Sequence, residues 1–187
     1  MNGNNLYLHL ELPLEFKEPP SVNFTTGRIK EIEFSTEDLL EPDWHAWLGS
    51  LGVRTKWGRV MTSGVGQRYD IHIDCMDPPG NQAALLNFMF EGDDSEMMWY
   101  SMLPGKEPHK YTNTRGAQVQ GYRPEDCVEI YRSRPSKSCL VNTGIPHSMQ
   151  NHNSPNRRCW SLYLHSIDLS RRIEFPEARE IFKPWIK

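Results

Sequence analysis

Apolar residues recur at every second position through many short stretches of this chain. "NLYLHLEL" (5–12), "GRIKEIEF" (27–34), "RTKWGRVM" (54–61), "RYDIHIDC" (68–75) and "AALLNFMF" (83–90) predict β-strands, as do "EMMWYSML" (96–103) and "DCVEIYRS" (126–133). "KSCLVNTG" (137–144), "HSMQN" (147–151) and "RRCWSLYLHS" (157–166) continue the series. Most are rich in β-formers, and many are bounded by Gly, Pro, Asn or Asp. So many short strands predict a mostly β fold, a sandwich or barrel. The period lengthens in "STEDLLEPDWHAWLGSLG", where Trp44, Trp47, Leu48 and Leu51 follow helical spacing, with Ser35 or Thr36 as cap and Pro42 at the start. A helix with that stripe must lie against the outer face of a sheet. "PEAREIFKPW" (176–185) predicts a second, weaker helix.

Composition narrows the setting. With 187 residues the chain is expected to form one domain, spanning 1–187. Its net charge of −3 offers no broad basic footprint, which disfavours nucleic acid as a partner. No apolar run approaches the roughly 20 residues of a membrane span. The start, "MNGNNLYLHLELPLEF", alternates rather than forming an apolar leader, so a cytoplasmic setting is expected. The four cysteines form no C-x-x-C pair, and buried thiols are expected rather than disulfides or a zinc module.

Candidate chemistry begins at His72-x-Asp74. On a strand, side chains two apart share a face, so both can reach one ion. Taken alone, the pair reads more readily as a surface ion pair. His147, after the turn-like "TGIP", adds a third group. Two histidines and a carboxylate make the facial triad of non-haem iron(II) oxygenases, with coordination positions left open. His9, His45, His109, His152 and His165 read as solvated or structural. "NHNSPN" (151–156) predicts a turn that folds the His147 strand back on "RRCWSLYL", bringing Arg157 toward the metal. Arginine's planar fork suits a carboxylate. Arg157 shares a strand face with Cys159 and Ser161, and Arg158 shares one with the bulkier Trp160 and Leu162. If the bulky face packs under the helices, Arg157 and Ser161 face the cavity, and Arg158 is the alternative.

His72-x-Asp74, His147 and Arg157 together resemble the signature of the 2-oxoglutarate- and iron(II)-dependent dioxygenases. The style is that of prolyl 4-hydroxylase, aspartyl/asparaginyl β-hydroxylase, phytanoyl-CoA hydroxylase and small phage-encoded relatives. The resemblance covers about residues 54–166, including "FEGDDSEMMWY" (90–100), where Asp93 replaces the family's second glycine. It implies a double-stranded β-helix, or jelly roll, with one or two helices on its major sheet. Iron(II) would be held by His72, Asp74 and His147, and 2-oxoglutarate by Arg157. Tyr69, Asn87, Trp99 and Ser161 would wall the cavity, Asn87 equally reading as an ordinary buried amide. The implied reaction converts 2-oxoglutarate and dioxygen to succinate and carbon dioxide while hydroxylating a protein side chain, amino acid or other small molecule, with ascorbate as support. Two other readings stand beside it: a cupin-like metal protein without keto-acid chemistry, and a non-catalytic jelly-roll interaction module. The polar stretch 104–125 is expected to be a loop, either a substrate lid or a surface excursion.

Overall fold

A computed structural model describes residues 3–17, 30–37, 40–74, 83–92, 94–112 and 118–187; Cys75 lies outside them. In chain order the strands are β1 (Tyr7–His9), β2 (Lys30–Ser35), β3 (Val53–Arg54), β4 (Trp57–Ser63), β5 (Ile71–Ile73), β6 (Ala84–Glu91) and β7 (Glu96–Met102). They continue with β8 (His109–Thr112), β9 (Gln118–Tyr122), β10 (Cys127–Ser133), β11 (Ser138–Asn142), β12 (His147–Gln150), β13 (Arg157–Tyr163) and β14 (His165–Ser166). Two helices, α1 (Pro42–Ser50) and α2 (Phe175–Ile181), complete the set.

Among the described residues, one six-stranded sheet runs β1-β11-β6-β13-β4-β2 and a second runs β10-β7-β12-β5-β9-β8. Every strand pairing is antiparallel. The chain passes between these two sheets from β4 to β5, β5 to β6, β6 to β7, β10 to β11, β11 to β12 and β12 to β13. That alternation is the winding of a jelly roll, and it gives the first sheet two unlike faces. Val60, Leu86, Phe88, Leu140, Trp160 and Leu162 point outward and form one core with Trp44 and Leu48 of α1 and Phe175 and Ala178 of α2. Arg59, Asn87, Cys139 and Ser161 occupy one row of the inner face, since Ser161 is paired with both Arg59 and Asn87, and Asn87 with Cys139. The bulky face of β13 therefore packs under the helices, as the parity of Trp160 and Leu162 requires.

Several sequence expectations change in detail. α1 has Pro42 in its first turn, but Glu41 precedes it and no side chain caps it. Ser35 closes β2 instead, and Thr36 is buried, its hydroxyl donating to the Thr55 carbonyl at 2.7 Å. β12 and β13 are not hairpin partners; they lie in opposing sheets. Their connection is pulled across by Asn151, whose amide nitrogen lies 3.0, 2.9 and 2.7 Å from the carbonyls of Ser63, Gly64 and Ser154. The stretch 104–125 is not simply a loop. It contains β8 and β9, and β9 pairs with the edge of β5. "HKYT" and "QVQGY" carry too few apolar residues to announce strands; the open edge of β5 supplies the context that settles them. Of the thiols, Cys139 and Cys159 are buried and Cys127 is half-buried, and all three are free.

Trp44 is the anchor between α1 and the sheet. It is 2% exposed, meets Phe16, Trp47 and Phe88 edge-on, and donates its indole N–H to the Glu15 carbonyl at 3.3 Å. Trp44→Ala should cost about 3–5 kcal/mol. Calorimetry should then record a melting temperature lower by on the order of 10 °C.

Candidate metal centre

β5 and β12 are neighbours in the second sheet, with His147 directly opposite His72. Two positions along from His72, Asp74 keeps the same face, and its backbone N–H donates to the Thr143 carbonyl at 3.0 Å. The three side chains converge, their candidate ligand atoms all within 4.8 Å of one another, and the imidazole centroids are 4.7 Å apart. Groups bound at right angles and about 2.1 Å from one ion lie about 3 Å apart. His72 Nε2 and Asp74 Oδ1, at 3.4 Å, are near that separation.

Backbone carbonyls orient both rings. His72 Nδ1 lies 2.7 Å from the Asp70 carbonyl, and His147 Nδ1 lies 2.9 Å from the Ile145 carbonyl. Nδ1 must carry the proton to satisfy a carbonyl, so Nε2 keeps its lone pair for a metal. The carboxylate is oriented by a residue that sequence reasoning missed. Arg59, buried on β4, donates from Nη2 to Asp74 Oδ2 and from Nη1 to Glu31 Oε1 at 2.5 Å. Oδ1 is left to face His72 as a single ligand atom. Burial raises the Asp74 pKa, but the Arg59 guanidinium outweighs it and holds the carboxyl well below its usual range. Burial and the neighbouring His72 lower His147 to about 4, which keeps it neutral, the form that binds metal. A signal for Arg59 did exist: it is a charged residue among the apolar positions of "WGRVMTS".

Arg157 begins β13 and is 2% exposed. Its Nε donates to Ser95 Oγ at 3.1 Å, its Nη2 approaches Met89 Sδ at 3.7 Å, and its Nη1 is buried with no hydrogen-bond partner. An unpaired donor on a buried cation is costly unless a ligand fills the place. Gly92 and Ser95 lie against the side chain. Gly92 has φ +98°, and a Cβ there would lie 2.6 Å from Arg157 Cγ. Gly92→Ala should therefore destabilise the fold by about 1–3 kcal/mol through backbone strain. It should also dislodge Arg157, and nitrogen-15 spectra should show a displaced Arg157 Nε–H signal.

The remaining predicted residues separate into inside and outside. Ser161 and Asn87 are buried side by side on the inner face, and Asn87 Oδ1 is without a partner. Tyr69 donates to the Thr62 carbonyl at 3.3 Å; burial raises its pKa to about 12, although Arg157 and Arg59 pull the other way. Trp99 is opposite His147, but its indole N–H is taken by the Asn142 carbonyl at 2.9 Å, so it contributes a wall rather than a donor. Arg158 turns away, with Nη2 3.1 Å from Glu91 Oε1. Arg158 thus shares the outward face of Trp160, away from the row that holds Ser161.

The chain matches no protein-family model and no curated protein. Among solved structures it is similar to a cupin superfamily protein from Desulfitobacterium hafniense, at 12% identity over 82% of this chain and 97% of that one, with a TM-score of 0.33. A viral collagen prolyl hydroxylase from Paramecium bursaria Chlorella virus-1, solved with 2OG, matches at 12% identity over 73% of this chain and 79% of that one, with a TM-score of 0.36. The coconut allergen cocosin matches at 8% identity over 78% of this chain, with a TM-score of 0.34. This chain spans 30% of the cocosin chain. Among the described residues, no helix is long and apolar enough to cross a membrane.

His109, read from sequence as solvated or structural, lies on the same row of the second sheet as His72, two strands away. The register runs His147, His72, Gly121, His109 across adjacent strands. A Cβ on Gly121 would lie 2.7 Å from Tyr111 Cε1 and 2.8 Å from His109 Nε2. The absent side chain thus lets the stacked His109–Tyr111 pair lie beside His72. Nothing in "HKYT" alone signals that position, which the β5–β9–β8 register creates.

Proposed function

We propose that this protein is a non-haem iron(II), 2-oxoglutarate-dependent dioxygenase that hydroxylates a substrate with release of succinate and carbon dioxide. The observation that carries the reading is the pairing of two features inside one barrel: the His72, Asp74 and His147 cluster, and a buried guanidinium with an unused donor. A metal protein of the same fold without keto-acid chemistry has no need of the second.

His72 and His147 would bind iron through Nε2, and Asp74 through Oδ1, while Arg59 holds Oδ2 and keeps the carboxylate from taking a second position. Three protein ligands would leave coordination positions open for the keto acid and dioxygen. When bound, the iron supplies the oxidative decarboxylation of the keto acid and the transfer of oxygen to substrate. Arg157 would take the distal carboxylate of 2-oxoglutarate, with Nη1 gaining its missing acceptor. The inner walls, including Trp99 and Ser161, exclude water from the reaction.

Anaerobic titration tests the proposal. Iron(II) with 2-oxoglutarate should produce a visible charge-transfer absorption that neither component gives alone. Tight iron binding without that absorption would favour the metal protein that lacks keto-acid chemistry. Failure to bind iron, cobalt or manganese would favour the non-catalytic module.

A further inference from the structure

Tyr163 follows Ser161 on the inner face of β13, and two guanidiniums lie against its ring. The carbon of Arg59 is 5.5 Å from the ring centroid and that of Arg172 is 4.5 Å from it. Together these distances place the two guanidinium carbons at most about 10 Å apart. Their surroundings differ. Arg59 is neutralised by Asp74 and Glu31. Arg172 has no carboxylate within ion-pair distance among the described residues, and its Nε and Nη2 are buried without a hydrogen-bond partner. The backbone is not free to carry it elsewhere: Arg172 bridges to His165, and the next residue, Ile173, donates its N–H to the Leu164 carbonyl at 2.9 Å.

Nε and Nη2 form one edge of the guanidinium, with two parallel N–H groups, the edge that receives a planar carboxylate end-on. Leaving both unsatisfied on a cation, near a second cation, is expensive without an anion to complete the group. The position also fits a substrate. Ser161 is paired with Arg59, which binds Asp74; Tyr163 lies two residues further along β13, and Arg172, outside that strand, lays its guanidinium on the Tyr163 ring. Arg157 lies on the other side of Ser161 along the same strand.

We propose that Arg172 anchors a carboxylate carried by the substrate, so that the substrate class is a small organic acid or amino acid with a free carboxyl group. The assignment rests on the oxygenase reading for its chemistry, whereas the anion site itself does not need the metal. Binding the acid at Arg172 would hold the remainder of the molecule toward Asp74 and the His72–His147 pair, with Tyr163 as the wall between.

Nitrogen-15 correlation spectra of the full chain test this directly. Each arginine Nε–H gives a signal; Arg172→Lys identifies that of Arg172, and contacts to the Tyr163 ring identify it independently if that variant does not fold. The protein is first saturated with zinc(II) and 2-oxoglutarate, which occupies Arg157, and is then titrated with acetate, acetamide or inorganic phosphate. Acetate should shift the Arg172 signal along a saturating curve, at concentrations about ten-fold below those that move exposed Arg123. Acetamide should leave it in place. An Arg172 signal that drifts linearly with that of Arg123 would overturn the site, and a stronger response to phosphate would overturn the carboxylate assignment. If zinc and 2-oxoglutarate leave the signals of His72, His147 and Arg157 unmoved, the oxygenase reading fails; the acetate titration of the metal-free protein then judges Arg172 separately.

Discussion

Asp74→Ala should abolish 2-oxoglutarate turnover and weaken metal binding sharply, and it should also destabilise the fold. The first effect follows from losing the only carboxylate among the three clustered groups. The second follows from Arg59. Asp74 and Arg59 are both buried, their side chains 6% and 8% exposed, so removing the carboxylate strips a buried cation of one of its two partners. Breaking a buried pair costs up to about 3–5 kcal/mol, and Glu31 should soften that loss. Asp74→Asn separates the two effects, because its amide oxygen can still accept from Arg59 while carrying no charge for the metal. Unfolding followed by circular dichroism should rank the proteins parent, Asn, Ala. Cobalt(II) absorption should show both variants impaired. Wild-type cobalt affinity and turnover in Asp74→Ala would falsify the assignment of this carboxylate.

Arg157→Ala should raise the dissociation constant for 2-oxoglutarate on the order of 10²–10³-fold, the range expected when one side of a buried charged pair is removed. Metal affinity without the keto acid should be nearly unchanged, because Arg157 contacts Ser95 and Met89 rather than the metal cluster. Arg157→Lys should recover only part of the loss, since an ammonium cannot reproduce the fork. Stability supplies an independent check. Arg157 buries an unpaired Nη1. Arg157→Met, which fills similar space without that donor, should unfold at nearly the parent temperature in the absence of 2-oxoglutarate. The parent alone should then gain stability when 2-oxoglutarate is added, as ligand linkage requires. Equal keto-acid affinity in the parent and Arg157→Ala would remove this residue from the site.

The prediction of a mostly β sandwich or barrel came from alternation, a local property, whereas the jelly-roll winding was implied by the family resemblance. Trp160 and Leu162 opposite Cys159 and Ser161 already separate a helix-covered face from a cavity face, and the structure keeps that separation. His72-x-Asp74 was legible for the same reason, since residues two apart on a strand must share a face. Boundaries were less legible. The predicted strand over 157–166 ends as β13 at Tyr163, and β14 then pairs with β3 in a separate two-stranded sheet. That break depends on the partner, which no window along the chain contains.

Sequence by itself determined which side chains could share a face, and hence the parity of Arg157 against Arg158 and of the metal-ligand candidates. Tertiary structure decided what those faces meet: Arg59 reaching from β4 to Asp74, Gly92 making room for Arg157, and Gly121 making room for His109 beside His72. The physical reason is distance along the chain. Strand periodicity is set by neighbouring backbone torsions, whereas these contacts join segments twelve to sixty-five residues apart through sheet register and barrel winding.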